Sequence, residues 1–189
     1  MRFTLTYRGS LPSRGSAAEK HSIRRHFHTQ LRDLWTRPPL SAHTRLLDPR
    51  SEVGELSLIS EFRGFEFASL IAEHVGLVAE LDVLLLWPAA PGSIITTGGD
   101  IDNRLKTLLD ALKAPSEPRD LPSDAVPQPS ERPFFCLLRD DRLVTRLNVE
   151  TDRLLEPGLP SSHAVVTVRV STTQFRGDLR LHPLTAGLA

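Results

Sequence analysis

The chain has 189 residues, 23 Lys+Arg against 23 Asp+Glu, a formal net charge of zero, 40% hydrophobic and 24% charged content. These values exclude a disordered or collagen-like polymer and suit a globular chain of about one domain. No apolar run reaches the length of a membrane span, and the single Cys136 excludes both a disulfide framework and a cysteine-based zinc site.

Along the chain, residues 2–7 alternate Phe3, Leu5 and Tyr7 on one side and predict a short strand. Gly9, Pro12 and Gly15 mark a turn, and Ser16 with Glu19 three residues later forms a capping box. Ile23, Phe27, Leu31 and Leu34 then follow at helical spacing, predicting a helix over 17–35 that stops before Pro38-Pro39. Zero net charge hides an uneven distribution. Residues 20–50 carry seven bases against two acids, residues 51–82 seven acids against one base, and residues 83–99 no charge. Arg24, Arg25, His28 and Arg32 lie mostly off the apolar stripe and are expected to face solvent or a partner. They are candidate phosphate contacts, although a solvated helix face explains the same pattern.

Residues 37–57 read as irregular. Phe62, Phe65 and Phe67 open an apolar region, and residues 77–87, rich in Val and Leu, predict a buried strand. A loop with Pro88, Pro91, Gly92, Gly98 and Gly99 leads into a second helix over 101–113, with Leu105, Leu108, Leu109 and Leu112 as its buried stripe. Residues 114–133 hold six prolines and predict a long surface loop or lid without packed structure. Strands are expected at 134–138 and 143–149, flanking a turn at Asp140-Asp141 and suggesting a hairpin. A final strand carries Val166, Val168 and Val170, and residues 176–189 read as a loose tail. The expectation is one α+β domain over 1–175, a small mixed β-sheet packed with two main helices. Trp35 and Trp87 are assigned to packing, and Cys136 to an inert buried thiol.

The chemical signal is acidic. Asp100 and Asp102 stand at the loop-to-helix boundary, where both carboxylates can converge on one cation, and Asp140-Asp141 offers a third. Asp102, Lys106 and Asp110, spaced four apart, share one polar helix face. Hard oxygen donors without cysteine select Mg²⁺ or Mn²⁺. A lysine beside such a metal suits phosphoryl chemistry, because it neutralises charge on nonbridging oxygens. The same residues also read as a helix cap, dipole partners and an exposed Lys106–Asp110 pair. An EF-hand fails on spacing, since Leu105 and Ala111 replace its required Gly and Glu. His26 and His28, two apart on a helix, do not share a face and make no metal site.

The run Asp100-Ile-Asp102-Asn103-x-x-Lys106-x-x-x-Asp110-Ala111-Leu112, followed by Leu138-x-Asp140-Asp141 and a strand, resembles the RusA family of Holliday junction resolvases. The resemblance covers residues 75–150 and extends elsewhere only by element order. It implies a homodimeric, Mg²⁺-dependent endonuclease acting on branched DNA; the lone cysteine points separately to a reduced, cytoplasmic setting, and no membrane or organic cofactor is expected. Asp100, Asp102 and Asp141 would hold metal, Asp140 would assist, and Lys106 would be catalytic. Asn103 would steady a ligand and Asp110 would orient Lys106. The chain departs from the family in the neutral stretch before Asp100, in the length of the Pro-rich loop and in an expansion over 8–60. Two other classes fit the residues: a nucleic-acid-binding or scaffold protein of the same fold without turnover, and a metal-dependent nucleotidyltransferase.

Overall fold

Residues 1–49, 57–88 and 100–174 are described by a computed structural model, Asp100 in its backbone only. Strand β1 (Arg2–Ser10) leads to helix α1 (Ala17–Trp35), whose start is the expected reciprocal cap. The Ser16 hydroxyl accepts from the Glu19 N–H, and the Glu19 carboxylate accepts from the Ser16 N–H. A 3₁₀ segment (Leu40–Leu47) fills part of the stretch read as irregular. Strands β2 (Ile59–Phe62) and β3 (Phe65–Ile71) form a hairpin closed by Arg63 and Gly64, both at positive φ. A two-residue loop with that geometry matches the strands' twist, which is why glycine stands at position 64.

Strand β4 (Leu77–Trp87) runs as expected, and helix α2 (Asp100–Leu112) follows it. Strands β5 (Phe134–Leu138), β6 (Val144–Arg153) and β7 (His163–Gln174) complete the fold. The architecture is α+β, as expected, but the strands divide into two sheets. One has the order β1-β7-β4-β6, the other β2-β3-β5. In the first, β4 pairs antiparallel with β7 and parallel with β6, so the chain between β4 and β6, including α2, is a crossover connection. The expected hairpin of β5 with β6 is corrected: β5 joins the smaller sheet, parallel to β3, and β6 joins the larger one. The turn at Asp140 to Leu143 therefore carries the chain from one sheet to the other.

Alternation decides what each strand buries. Leu77, Ala79, Leu81, Val83, Leu85 and Trp87 of β4 enter the core with Ala164, Val166, Val168 and Val170 of β7. Ile23, Phe27, Leu31 and Trp35 of α1 pack into the same core. Helix α2 buries Leu108, Ala111 and Leu112, while Leu105 and Leu109 are only partly covered. Its buried face also includes Thr107, whose hydroxyl accepts from the Gly15 N–H at 3.1 Å. A Cβ at Gly15 would stand 2.6 Å from the Thr107 methyl, so only glycine permits this approach. Both tryptophans are buried, as expected, and burial pushes the Cys136 thiol up to about 12.

The largest correction concerns residues 114–133, which form a packed strap and not an unpacked loop. Its six prolines remove six N–H donors, so its carbonyls need partners from elsewhere. Helix α1 and the hairpin turn supply them. Arg24 donates to the Asp120 carbonyl, Arg25 to Val126, Arg32 to Ser130, and Arg63 to Leu121 and Ser123. Within the strap, Asp120 accepts from the Ser116 and Glu117 N–H groups, and Glu131 from Gln128. Leu121 drops into a second apolar cluster with Phe65, Phe67 and Phe134.

Arg24 is 2% exposed and also donates to the carbonyls of Asp110 (2.8 Å) and Lys113 (3.0 Å) at the end of α2. Arg24→Met strands these buried acceptors, and is expected to lower unfolding free energy by about 3 kcal/mol in urea titration. Exposed Arg32→Met should change it by no more than about 0.5 kcal/mol.

Candidate functional site

Helix α2 presents Asp102 and Lys106 to solvent on neighbouring turns of one face, as the spacing predicted. Neither makes an ion pair among the described residues. Lys113 lies on the same side, eleven residues beyond Asp102, and ends this polar stripe. The side chain of Asp100 lies outside the described residues, as do the loop residues 89–99 and the tail from 175.

The base of the helix start is pinned by Arg104, which sequence reading passed over. Arg104 is 7% exposed, places its guanidinium 3.5 Å from the centre of the Trp87 ring, and donates to the Leu11 carbonyl. A cation over an indole explains how a charged side chain occupies the core-facing side of α2. The available signal was spacing: Arg104 stands three residues after Ile101 and four before Leu108, on the apolar stripe of the helix. Thr107 donates back to the Asn103 carbonyl at 3.1 Å.

The second acidic cluster sits at the other end of the helix. The Ala114 N–H donates to the Leu138 carbonyl at 2.9 Å, which fixes the end of β5 against the end of α2. Asp141, three residues later, places its carboxylate 3.8 Å from Lys113 Nζ. Lys113 and Asp102 are about 16 Å apart along the helix axis at 1.5 Å per residue. Asp140 is held by Arg142 through its guanidinium (3.0 and 3.1 Å) and its N–H (2.9 Å). Those bonds, the side chain's first, lower the Asp140 carboxyl to about 2. Among the described residues, no three Asp, Glu, His or Cys groups come together as a metal cluster. The donor chemistry of Asp102 and Asp141 fits a hard divalent cation, and the third expected donor, the Asp100 side chain, lies outside the described residues.

Asp110 does not orient Lys106. It pairs with Lys20 of α1 at 2.7 Å, because the packing of α1 on α2 brings a nearer lysine.

The expected phosphate contacts on α1 are also corrected. Arg24 and His28 are buried. Arg25 is partly covered and pairs with Glu131 at 2.6 Å. Burial pushes the Glu131 carboxyl up, but its bonds to Arg25 and Gln128 outweigh that and leave it below the usual range. Arg32 alone of the four is exposed, with one donor already on Ser130.

His28 accepts the Phe135 N–H on Nδ1 (2.9 Å), so its Nε2 carries the proton and donates to the Ser130 carbonyl (3.2 Å). His21 stacks on Phe134, edges Phe65, and leaves Nε2 buried without a partner. Burial, then Arg24 and Arg25, lower His21 to about 4, and burial lowers His28.

Comparison with known protein families, with curated proteins and with solved structures finds no match to this chain. Among the described residues no helix is long and apolar enough to cross a membrane.

Because the folded state holds both imidazoles neutral, the unfolded chain binds more protons below the ordinary value of 6.5. The stability they contribute is fully present above pH 6.5 and is lost as pH falls toward 4. The urea midpoint should therefore drop between pH 7.5 and 5, and His21→Phe should flatten that slope. An unchanged slope would remove His21 from this account.

Proposed function

We propose that the chain is a Mg²⁺-dependent endonuclease acting on branched DNA, built on the RusA-like pattern in α2 and the turn before β6. The observation that carries the reading is the exposed face of α2, where Asp102 and Lys106 stand free of ion pairs in a helix otherwise tied down. An exposed carboxylate and ammonium on neighbouring turns remain available to a ligand. Asp110 and Asp140 are not, since each is already held by a cation.

Asp100, Asp102 and Asp141 would hold the Mg²⁺, whose chemistry when bound would be to polarise a phosphate and lower the pKa of a water. Lys106 would neutralise charge on the nonbridging oxygens as water adds to phosphorus and the bond to the leaving sugar oxygen breaks. The N-terminal end of α2 adds a positive dipole toward the same region. Arg104 on Trp87 holds the helix start in place for this work. A cytoplasmic setting and a homodimer belong to the same reading.

A second reading is a nucleic-acid-binding protein of this fold without turnover. The same exposed face of α2 supports it without a metal-dependent step. A nucleotidyltransferase gains no support from the geometry.

Incubation with four-way junction, flap and linear duplex DNA separates the readings. Mg²⁺-dependent, EDTA-sensitive cutting of the junction is expected for the nuclease. Asp102→Asn and Lys106→Ala should each slow cleavage by about 100-fold or more while leaving junction binding within severalfold. Junction binding without cleavage would establish the second reading, and cleavage that survives Asp102→Asn would remove the proposed site.

A further inference from the structure

The inner face of the four-stranded sheet builds the core with α1 and α2. Its outer face carries the alternate residues of each strand, and there charge is segregated. Strands β1 and β7 contain no Asp or Glu, and their outer cations are Arg2, Arg8 and Arg169. The outer acids, Glu80, Asp82, Glu150 and Asp152, all stand on β4 and β6.

Most of the face is internally balanced. Arg146, the outer cation of β6, sits 3.0 Å from Glu80 and 3.6 Å from Asp82. Arg8 pairs with Glu156. Arg2 and Arg169 differ: both are exposed, and neither has an ion pair or side-chain hydrogen bond among the described residues. Asp82 stands in register with Arg169, yet its ion pair is with Arg146. Arg2 is in register with Ser171, and Thr4 with Arg169. The two arginines are therefore diagonal neighbours, about 7–8 Å apart at their Cα atoms. The hydroxyls of Thr4, Thr167 and Ser171 beside them also make no hydrogen bond among the described residues.

We propose that the outer face of β1 and β7 binds the sugar-phosphate backbone of a DNA duplex without regard to sequence. A guanidinium forks onto phosphate oxygens, and threonine and serine hydroxyls donate to the same oxygens. The diagonal step between Arg2 and Arg169 is of the order of the step between successive phosphates. A flat strand surface suits an extended backbone, and the acids of β4 and β6 repel it, which confines it to the β1–β7 half. This face lies across the sheet from the helices, so it holds a different stretch of DNA from the one at Asp102 and Lys106. The inference rests on the nucleic-acid part of the proposed function and adds to it a second contact, remote from α2.

Fluorescence anisotropy of labelled random-sequence duplexes and of a four-way junction, in EDTA over a salt series, tests it. The double variant Arg2→Gln/Arg169→Gln should bind about 10-fold or more weakly at low salt. Its plot of log affinity against log salt should be shallower by about 2, close to one unit per lost phosphate contact, on every sequence. Arg146→Gln, on the acidic half, should keep the wild-type slope. Unchanged urea midpoints should show that these exposed substitutions leave the fold intact. No duplex binding by the wild type, an unchanged slope in the double variant, or the same loss in Arg146→Gln would overturn the proposal. So would tighter binding of the wild type to polyglutamate or to phosphatidylglycerol vesicles than to duplex DNA. The two readings fail separately. Binding with the expected slope change but no Mg²⁺-dependent cleavage supports this face and removes the nuclease. Junction cleavage with a slope that the double variant leaves alone removes this face and keeps the nuclease.

Discussion

Arginine side chains donating to main-chain carbonyls are the interaction on which the arrangement of this protein depends. Arg24 alone reaches three segments from one buried position on α1: the last turn of α2, the residue just after it, and the strap at Asp120. A helix ends with unsatisfied carbonyls, and a Pro-rich segment has more acceptors than donors, so both need cations or N–H groups brought from outside. One guanidinium, with five donors in a fixed plane, meets both needs at once. The rest of the α1 face extends the same logic along the strap through Arg25, His28 and Arg32. Remove that set and α2 loses its register against α1, and with it the placement of the Asp102–Lys106 face.

This reverses the meaning of the basic block. Seven bases in thirty-one residues looked like a surface for polyanions. Among the described residues, Arg24, Arg25 and Arg32 donate to main-chain carbonyls, and Lys20, Arg25 and Arg37 pair with the chain's own carboxylates. Periodicity could not reveal this, because a side chain off the apolar stripe reads as solvent-facing whenever the segment that covers it is distant in sequence. The proline content of residues 114–133 was visible, but the missing donors and the surplus arginines were read as two separate facts when each supplies what the other lacks.

Other parts were legible from local rules. The Ser16–Glu19 cap, the span of α1, the β4 run, α2 and the alternating valines of β7 all depend on neighbours within a few residues, which is what sequence patterns record. The partition into two sheets was not legible. Phe134 to Leu138 is apolar on both faces and carries no mark of which strand it will join. The candidate site divides the same way. The exposed pair on α2 follows from spacing, whereas the distance from Asp102 to Asp141 depends on where β5 ends against α2, a tertiary fact.

The last strand of the chain to be described, β7, lies inside its sheet, between β1 and β4. Arg2 pairs with Ser171 and Leu81 with Val170, so the N-terminal strand touches the larger sheet only through residues nearly the whole chain away. During synthesis, β1 and β4 must therefore wait beside each other without a shared hydrogen bond until residues 163–174 clear the ribosome. Until then β4 offers a bare, valine- and leucine-rich edge to whatever else is nearby. The smaller sheet has no such delay, since β2, β3 and β5 are complete by residue 138. The order of emergence makes the strap and the smaller sheet the early structure, and the larger sheet the step at which the nascent chain is most exposed to misassembly.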